Sequence, residues 1–223
     1  MINSNNLIII TTTLPNNKIS KKRRDNLINK FSPHGINIIY NEGIIDKTRR
    51  FFKTLKKALE TFKKNDNEFA IICDDDFSPI DNFLKELNQT VELLPSNWRC
   101  LHLCPGYLWG RKFRDKLKIG SLNPEYNMYN IPFHESGRFY NKCDSNKYFR
   151  NKYWLGGPIA FLVNKSTIDS LLNDYIAQYQ KTKINNDVIL TKILTTDDFI
   201  CREPMLGFED EQGGASVKMC IIL

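Results

Sequence analysis

Three consecutive carboxylates, Asp74, Asp75 and Asp76, follow directly on the apolar run Phe69–Cys73. A short apolar run that ends abruptly in polar residues predicts a buried strand that enters a loop. Because side chains alternate along a strand, we expect Asp74 and Asp76 to face one way and Asp75 the other. Two carboxylates on one side of a strand end repel each other unless a cation lies between them. Oxygen ligands suit Mg²⁺ or Mn²⁺, which is commonly shared with phosphates, so the triplet indicates an Asp-x-Asp metal site for a nucleotide diphosphate.

The acidic triplet also has an ordinary structural interpretation. Acidic residues are common in solvated turns and at the beginnings of helices, where their side chains cap backbone N–H groups. Asp81 could cap the helix that follows, but it lies too far along the chain to explain the triplet. A solvated turn does not require an apolar strand that leads into it, so the metal-site interpretation is favoured.

The first hundred residues alternate between the patterns of strands and helices. Strands are predicted at Leu7–Thr12, Ile36–Tyr40, Phe69–Cys73 and Trp98–Leu103, and helices at Ser20–Phe31, Asp46–Lys64 and Asp81–Leu94. Such alternation favours an α/β fold with a mainly parallel sheet that is covered by helices on both faces. The chain has 223 residues, enough for one large domain or two small ones that share a sheet.

Polar residues lie at the carboxyl ends of three predicted strands. Thr11, Thr12 and Thr13 end the first strand, Asn41 follows the second, and the acidic triplet follows the third. In open α/β sheets, ligands bind in the crevice outside the carboxyl ends of the strands. We therefore expect these side chains to converge on one ligand-binding crevice.

The second half of the chain begins with a long irregular stretch. Residues 105–153 are rich in Pro, Gly, Asn and aromatic residues, a composition typical of a functional loop. Gly156 and Gly157 then precede an apolar run and would let backbone approach a ligand closely. Helices are predicted at Thr167–Tyr179 and Asp187–Leu194, and the tail combines acidic residues with glycines.

Composition and charge limit the class of protein. No run of about 18 apolar residues or signal-peptide pattern is present, so a cytoplasmic protein without a transmembrane segment is expected. Six cysteines include no Cys-x-x-Cys pair, and Cys100-x-His102-x-Cys104 is better explained by alternation on a strand than by zinc.

The net charge of +7 comes largely from basic residues in the first 60 positions. Nucleic acid is one possible partner for such a cluster. However, the basic residues near Lys53 and Lys57 share a helix with Phe52, Leu55 and Leu59, which favours a solvated face of an amphipathic helix. No aromatic platform or base-reading motif accompanies the charge, so no nucleic-acid partner is expected.

Several motifs resemble those of known glycosyltransferases. The motifs similar to glycosyltransferase family 25 are Asp74–Asp76 with Phe83, Leu84 and Leu87, then Trp154–Leu162, Asn186–Leu190, and the pair Gln212 and Ser216. A likeness along nearly the whole chain is to the N-terminal glycosyltransferase domains of chlorella-virus enzymes that build the capsid-protein glycan. It rests on Thr11–Pro15, Cys73–Phe77, Leu101–Gly106 and Trp154–Pro158.

The resemblance implies a Rossmann-like GT-A fold in a single domain, with residues 1–104 as the nucleotide-sugar-binding half and residues 105–223 as the acceptor-side half. It implies a hexosyltransferase that uses Mn²⁺ or Mg²⁺ and moves a hexose or deoxyhexose from a UDP-sugar to a glycan or glycoprotein acceptor. For a viral protein, the role would be capsid glycosylation in the host cytoplasm.

The resemblance also implies roles for individual residues. Asp76, with Asp74 as partner, would bind the metal, and the catalytic candidates that would activate the acceptor are Asp187, Glu209 and Asp210. The remaining nucleotide-sugar-binding candidates are Thr11, Thr12, Thr13 and Asn41 for uracil and ribose, Asp75 for ribose or sugar, Arg49 and Lys53 for the diphosphate or the sugar, and Gly156 and Gly157. Many GT-A enzymes have a further metal ligand in a C-terminal His, but His34, His102 and His134 all precede that segment. Glu209, Asp210 or water would fill the position.

Two other functional classes remain open at this point. A nucleotidyltransferase or a phosphatase-like hydrolase could use the same acidic strand end. A basic module that binds nucleic acid without catalysis would use the charge alone, and it would bind in a strongly salt-dependent way.

Overall fold

The computed structural model describes residues 1–13, 18–43, 50–105, 135–136, 138–140, 158–182, 193, 197–201 and 206–209. Within these ranges the chain forms nine strands and four α-helices. The strands are β1 (Leu7–Thr13), β2 (Asn37–Glu42), β3 (Phe69–Asp74), β4 (Phe77–Pro79), β5 (Cys100–Pro105), β6 (Phe139–Tyr140), β7 (Pro158–Asn164), β8 (Asp198–Cys201) and β9 (Gly207–Glu209). The helices are α1 (Lys18–Phe31), α2 (Arg50–Lys64), α3 (Phe83–Val91) and α4 (Ile168–Thr182).

Seven strands form one mixed sheet in the order β2-β1-β3-β7-β5-β8-β6. Strand β1 is parallel to β2 and β3, β5 is parallel to β8, and β7 is antiparallel to both β3 and β5. Hence β2, β1, β3, β5 and β8 run in one direction, whereas β7 and β6 run in the other. The predicted α/β fold class, Rossmann-like with a mixed, mainly parallel sheet flanked by helices, is confirmed.

The sheet has a hydrophobic core on each face. Helix α1 contributes Leu27 and Phe31 to one core, which also contains Ile9 and Ile71 of the central strands. Helices α2 and α4 cover the opposite face, where the core is formed by Ile8, Ile10, Ile72, Leu59, Phe62 and Tyr175, among others. Neighbours along β1 and β3 therefore face opposite cores, which explains why these strands are apolar throughout.

Several predicted element boundaries differ from those of the structure. Helix α3 begins at Phe83, and its N-cap residue is Asn82 in a left-handed conformation (φ 57°), so the prediction that Asp81 caps this helix is wrong. Strand β5 begins at Cys100 instead of Trp98, because the backbone N–H of Trp98 donates to the carbonyl of Pro95 at 3.0 Å in a turn. The start predicted for the second helix, Asp46, lies outside the described residues.

A buried ion pair joins the amino ends of β5 and β8. Arg99 Nε donates to Asp198 Oδ1 at 2.9 Å, and Arg99 Nη2 donates to Asp198 Oδ2 at 2.5 Å and to the carbonyl of Ile193 at 2.7 Å. Burial alone would lower the pKa of Arg99, but hydrogen bonds and charges from Asp198 and Asp174 outweigh it and raise that pKa. This contact links the amino ends of β5 and β8. None of the described helices is long and apolar enough to cross a bilayer.

Candidate functional site

The carboxyl ends of β1, β2 and β3 lie side by side at one edge of the sheet. Thr12 of β1 is paired with Asn41 of β2 on one side and with Asp74 of β3 on the other. Thr13 extends one residue further and is paired with Glu42. The structure thus brings together the threonines, the asparagine and the start of the acidic triplet, three features that are far apart in the sequence.

Some buried oxygen atoms at this edge meet no hydrogen-bond partner among the described residues. Among them are Oγ1 of Thr13 and Oδ1 of Asn41, whose residues are 1% and 3% exposed. The amide of Asn41 is held in place because its Nδ2 donates to the backbone carbonyl of Thr54 at 2.9 Å. A buried polar atom without a partner costs about 1–3 kcal/mol, so such atoms are rare in folded proteins outside functional sites. Both atoms are therefore candidates for contacts with a ligand.

Thr11 lies deeper in the sheet than Thr13. It is fully buried and is paired with Cys73 in the neighbouring strand, one residue before the acidic triplet. Burial raises the pKa of the Cys73 thiol well above its usual value, so this cysteine is a neutral part of the interior. The pair supports the floor of the strand-end crevice.

The three carboxylates do not alternate as the strand pattern predicts. Asp74 is the last residue of β3 and is exposed, whereas Asp75 and Asp76 form a turn into β4 and are each 7% exposed. The prediction that Asp75 faces away from Asp76 is wrong, because the chain leaves the strand at Asp74 and both following carboxylates contact Arg23. Strand alternation ends there, and the turn directs both following carboxylates inward.

Arg23 supplies the cation that the acidic turn requires. Its Nη1 atom lies 3.3 Å from Asp75 Oδ1 and 3.4 Å from Asp76 Oδ2, and all three side chains are at most 8% exposed. In the sequence, Arg23 is one of the basic residues in the first 60 positions. Its position four residues before Leu27 and eight before Phe31 placed it on the buried face of α1, and that signal could have identified it.

The residues at the acidic turn fit a metal that is shared with a phosphate ligand. Asp74 and Asp76 offer carboxylate oxygens, and Mg²⁺ or Mn²⁺ sites of this type often use one or two carboxylates together with water and substrate phosphates. Within the described ranges, no group of three or more His, Cys, Asp or Glu residues is arranged to hold a metal ion.

The C-terminal part of the chain returns to the acidic turn through a second, two-stranded sheet. Strand β9 pairs antiparallel with β4, and Glu209 is the partner of Phe77, the residue that follows Asp76. The backbone N–H of Ile80 donates to the carbonyl of Leu206 at 3.3 Å. The backbone of one predicted catalytic residue, Glu209, is therefore adjacent to the acidic turn.

The described structure does not test the remaining predicted site residues. Lys53 is an exposed residue of α2, next to Thr54, whose carbonyl accepts from Asn41. Arg49, Gly156, Gly157, Asp187 and Asp210 lie outside the described residues, as does the side chain of Glu209. Their roles stay predictions.

Cys100 and His102 lie on β5, as expected from their alternation. His102 is buried and stacks on Phe161 with ring centroids 5.9 Å apart. Burial lowers the pKa of His102 to about 4, because the charged imidazolium would lose its hydration. His102 is thus a neutral core residue in the described structure.

Comparison with known proteins yields similarities of fold only. No protein-family model and no curated protein sequence matches the chain significantly. Among solved structures, one similar protein is a glycosyltransferase involved in the glycosylation of the major capsid of PBCV-1, with 13% identity, a TM-score of 0.41, and coverage of 78% of this chain and 68% of that one.

Two further solved structures are similar to this chain. A Drosophila β1,4-galactosyltransferase 7 mutant, in complex with manganese, UDP-Gal and xylobiose, has 10% identity and a TM-score of 0.36, and the match covers 80% of this chain and 63% of that one. A Thermus thermophilus mannose-1-phosphate geranyltransferase has 10% identity and a TM-score of 0.47, with 93% and 76% covered. With TM-scores below 0.5, none of the three establishes an activity for this chain, and the resemblance to glycosyltransferase family 25 stays a prediction.

Proposed function

We propose that this protein is a metal-dependent glycosyltransferase that moves a hexose or deoxyhexose from a UDP-sugar to a glycan or glycoprotein acceptor. The observation that carries the proposal is that the strand ends with two buried oxygens, Thr13 Oγ1 and Asn41 Oδ1, lie beside the strand end at which the carboxylates begin with Asp74. A nucleotide diphosphate has a polar base and ribose at one end and an anionic group at the other. Across the strand ends, the hydrogen-bonding atoms lie on β2 and β1, and the carboxylates that could bind a cation follow on the next strand, β3.

The hydrogen-bonding groups suit a uridine. The amide of Asn41 is oriented by the hydrogen bond from its Nδ2 to the carbonyl of Thr54. Its Oδ1 is therefore left as an acceptor, which requires a donor such as the N3–H of uracil or a ribose hydroxyl. The side chain of Thr13 lies on the other face of the sheet from Asn41, whose register partner is Thr12, and its hydroxyl would donate to a different part of the nucleotide. Thr11 and Thr12 would complete the wall of this pocket, and Asp75 would serve the ribose or the donor sugar.

Loss of UDP from the donor sugar places negative charge on the diphosphate. A divalent ion held by Asp74 and Asp76 would stabilise that charge as a Lewis acid. Arg49 and Lys53 would add positive charge near the phosphates, and the backbone at Gly156 and Gly157 would approach the donor. These groups act mainly by position and charge, as in other phosphate-leaving reactions.

The acceptor hydroxyl requires a carboxylate that accepts its proton if the anomeric configuration inverts. The candidates are Asp187, Glu209 and Asp210. The register of β9 against β4 favours Glu209, because Glu209 is paired with Phe77, the residue that follows Asp76. The role in viral capsid glycosylation rests on the motif resemblance.

The proposal is tested with the purified chain and a panel of UDP-glucose, UDP-galactose and UDP-rhamnose, each with and without Mn²⁺. We expect UDP and one UDP-sugar to raise the unfolding temperature only when Mn²⁺ is present, since a ligand at 100 times its Kd contributes about 2.7 kcal/mol. Transfer of labelled sugar to glycan acceptors is then measured by mass spectrometry, with GDP-mannose as the control donor.

The same experiment separates the other functional classes. Transfer of the nucleotide or release of inorganic phosphate would indicate a nucleotidyltransferase or a hydrolase and would overturn the proposal. Salt-sensitive binding to DNA or RNA, together with no response to UDP and Mn²⁺, would indicate a non-catalytic basic module.

A further inference from the structure

A single nitrogen atom bridges the two inward carboxylates of the acidic turn. Nη1 of Arg23 lies within 3.4 Å of an oxygen of Asp75 and of an oxygen of Asp76. The contact is long-range, since 52 residues separate Arg23 from Asp75, and all three residues are buried. Any cation that binds at this turn would therefore lie close to the guanidinium of Arg23.

Helix α1 holds Arg23 firmly at this place. Leu27, one helical turn further on, and Phe31 are buried in the core beneath the sheet. Lys30 lies on the same side of the helix and donates to the hydroxyl of Ser78, a fully buried residue of β4. The helix is thus attached to the strand that follows the acidic turn both by apolar packing and by a second cationic side chain.

The carboxylates at the turn attract a cation, whereas the guanidinium of Arg23 repels it. Asp74, Asp75 and Asp76 together carry three negative charges if all are ionised, and Arg23 compensates one of them. A divalent ion is still attracted, but it would lie close to a buried guanidinium, where repulsion between like charges is strong because the effective dielectric constant is low. A diphosphate that contacts both cations replaces this repulsion by attraction.

From this geometry we propose that Arg23 makes the binding of a divalent cation at the acidic turn depend on the diphosphate of the nucleotide. Arg23 lowers the affinity of the turn for the ion alone, and the diphosphate restores it. This inference rests on the proposed function, because it assumes that the acidic turn is the metal site. It assigns to Arg23 a positioning role: Arg23 acts on the ion through the carboxylates.

A reciprocal relation follows from thermodynamic linkage. If UDP tightens the binding of Mn²⁺ by some factor, Mn²⁺ tightens the binding of UDP by the same factor. Replacement of Arg23 by a neutral residue should reduce that factor, because the ion then binds well without the nucleotide.

The primary experiment measures Mn²⁺ alone, without nucleotide and without turnover. Binding of Mn²⁺ to the full chain is followed by electron paramagnetic resonance of the free ion, for the wild-type protein and for Arg23→Gln. We expect Arg23→Gln to bind Mn²⁺ about tenfold more tightly or better, because a buried like charge has been removed. Lys22→Gln is the matched control, because it removes one positive charge from an exposed neighbour on the same helix and should leave the affinity unchanged.

Arg23→Gln could fail to fold, since it leaves two buried carboxylates without the guanidinium. Arg23→Lys provides the second variant, because its shorter side chain withdraws the charge from both carboxylates and is expected to increase the affinity for Mn²⁺ as well. Circular dichroism checks that each variant is folded.

Each outcome bears on one hypothesis. Tighter Mn²⁺ binding by the Arg23 variants, with a smaller effect of UDP, supports the inference. Equal or weaker Mn²⁺ binding by folded Arg23 variants overturns the inference and leaves the proposed glycosyltransferase function standing. If no variant binds Mn²⁺ with or without UDP, the metal site itself is wrong, and both proposals fail.

Discussion

Phe77 and Glu209 are opposite each other in the antiparallel pair of β4 and β9. This relationship places the C-terminal strand beside the acidic turn, because Phe77 directly follows Asp76. The approach of the two strands depends on a glycine: a Cβ atom added at Gly207 would lie 2.1 Å from Cε2 of Phe77 and 2.8 Å from the carbonyl oxygen of Ser78. Both distances are far shorter than van der Waals contact, so a side chain at position 207 requires the strands to separate.

We therefore expect Gly207→Ala to separate β9 from β4 and to move Glu209 away from the acidic turn. Sugar transfer should fall by at least about a hundredfold, because a displacement of about 1 Å in a site can cost that much. The measurement is the transfer rate with a UDP-sugar and Mn²⁺.

Gly35→Ala is the control for this variant. Gly35 has a left-handed backbone (φ 68°), but the space around its Cβ position is open to 3.7 Å. The substitution should cost about 1 kcal/mol of unfolding free energy through backbone strain and leave the transfer rate unchanged. Equal rates for wild type and Gly207→Ala would refute the proposed role of Glu209.

Asp76→Ala should abolish metal-dependent turnover of the UDP-sugar while the fold survives. Asp76 is one of two carboxylates on Arg23, so Asp75 remains as its partner and the loss of unfolding free energy should be about 2 kcal/mol. Turnover should decrease by a hundredfold or more, roughly the cost of losing one group that stabilises the leaving charge.

The test compares transfer rates and urea unfolding of Asp76→Ala with those of Asp81→Ala, an exposed carboxylate outside the turn. Asp81→Ala should behave like the wild-type protein in both measurements. A rate close to wild type for Asp76→Ala would remove Asp76 from the metal site.

Thr13→Val should separate stability from binding. Valine has nearly the shape of threonine and lacks the buried hydroxyl that meets no partner among the described residues, so the unfolding free energy should stay equal or rise by about 1 kcal/mol. The Kd for UDP, measured by calorimetry with Mn²⁺ present, should increase about fivefold to tenfold if that hydroxyl contacts the nucleotide.

Thr90→Val provides the opposite case. The hydroxyl of Thr90 donates to the carbonyl of Glu86 at 2.8 Å within α3, remote from the strand-end crevice. Its loss should reduce the unfolding free energy by about 1 kcal/mol and leave the Kd for UDP unchanged. If Thr13→Val destabilises the protein and does not affect UDP, the hydroxyl of Thr13 has a structural role.

His102 should make the protein sensitive to acid. Its pKa is about 4 in the folded state and about 6.5 in the unfolded state, so the unfolded chain binds more protons between these two values. The unfolding free energy should therefore decrease as pH falls from about 6.5 towards 4, by at most about 3 kcal/mol.

Urea unfolding at several pH values tests this dependence. His102→Gln should flatten the pH profile over this interval, whereas His34→Gln, at an exposed position, should retain the wild-type profile. An unchanged profile in His102→Gln would show that other groups cause the acid sensitivity.

The strand and helix patterns determined much of the fold because they are local. The apolar run that begins at Phe69 predicted the central strand β3, and the apolar stripe that contains Leu55 and Leu59 predicted helix α2. Polar residues after these strands, such as Asn41, predicted where the crevice would form, since parallel strands end at a common edge.

Tertiary structure alone decided the geometry of the acidic turn. Strand alternation gave the wrong orientation for Asp75, because the position at which a strand turns depends on what its next segment packs against, here β9. The cation at the turn, Arg23, is 52 residues away from Asp75 in the chain, and a contact of that kind follows only from the packing of α1 under the sheet. The sequence by itself therefore determined the types of residue at the site, because hydrophobic periodicity is a local property. Their orientation and their partner charge were decided by contacts between segments that are distant in the chain.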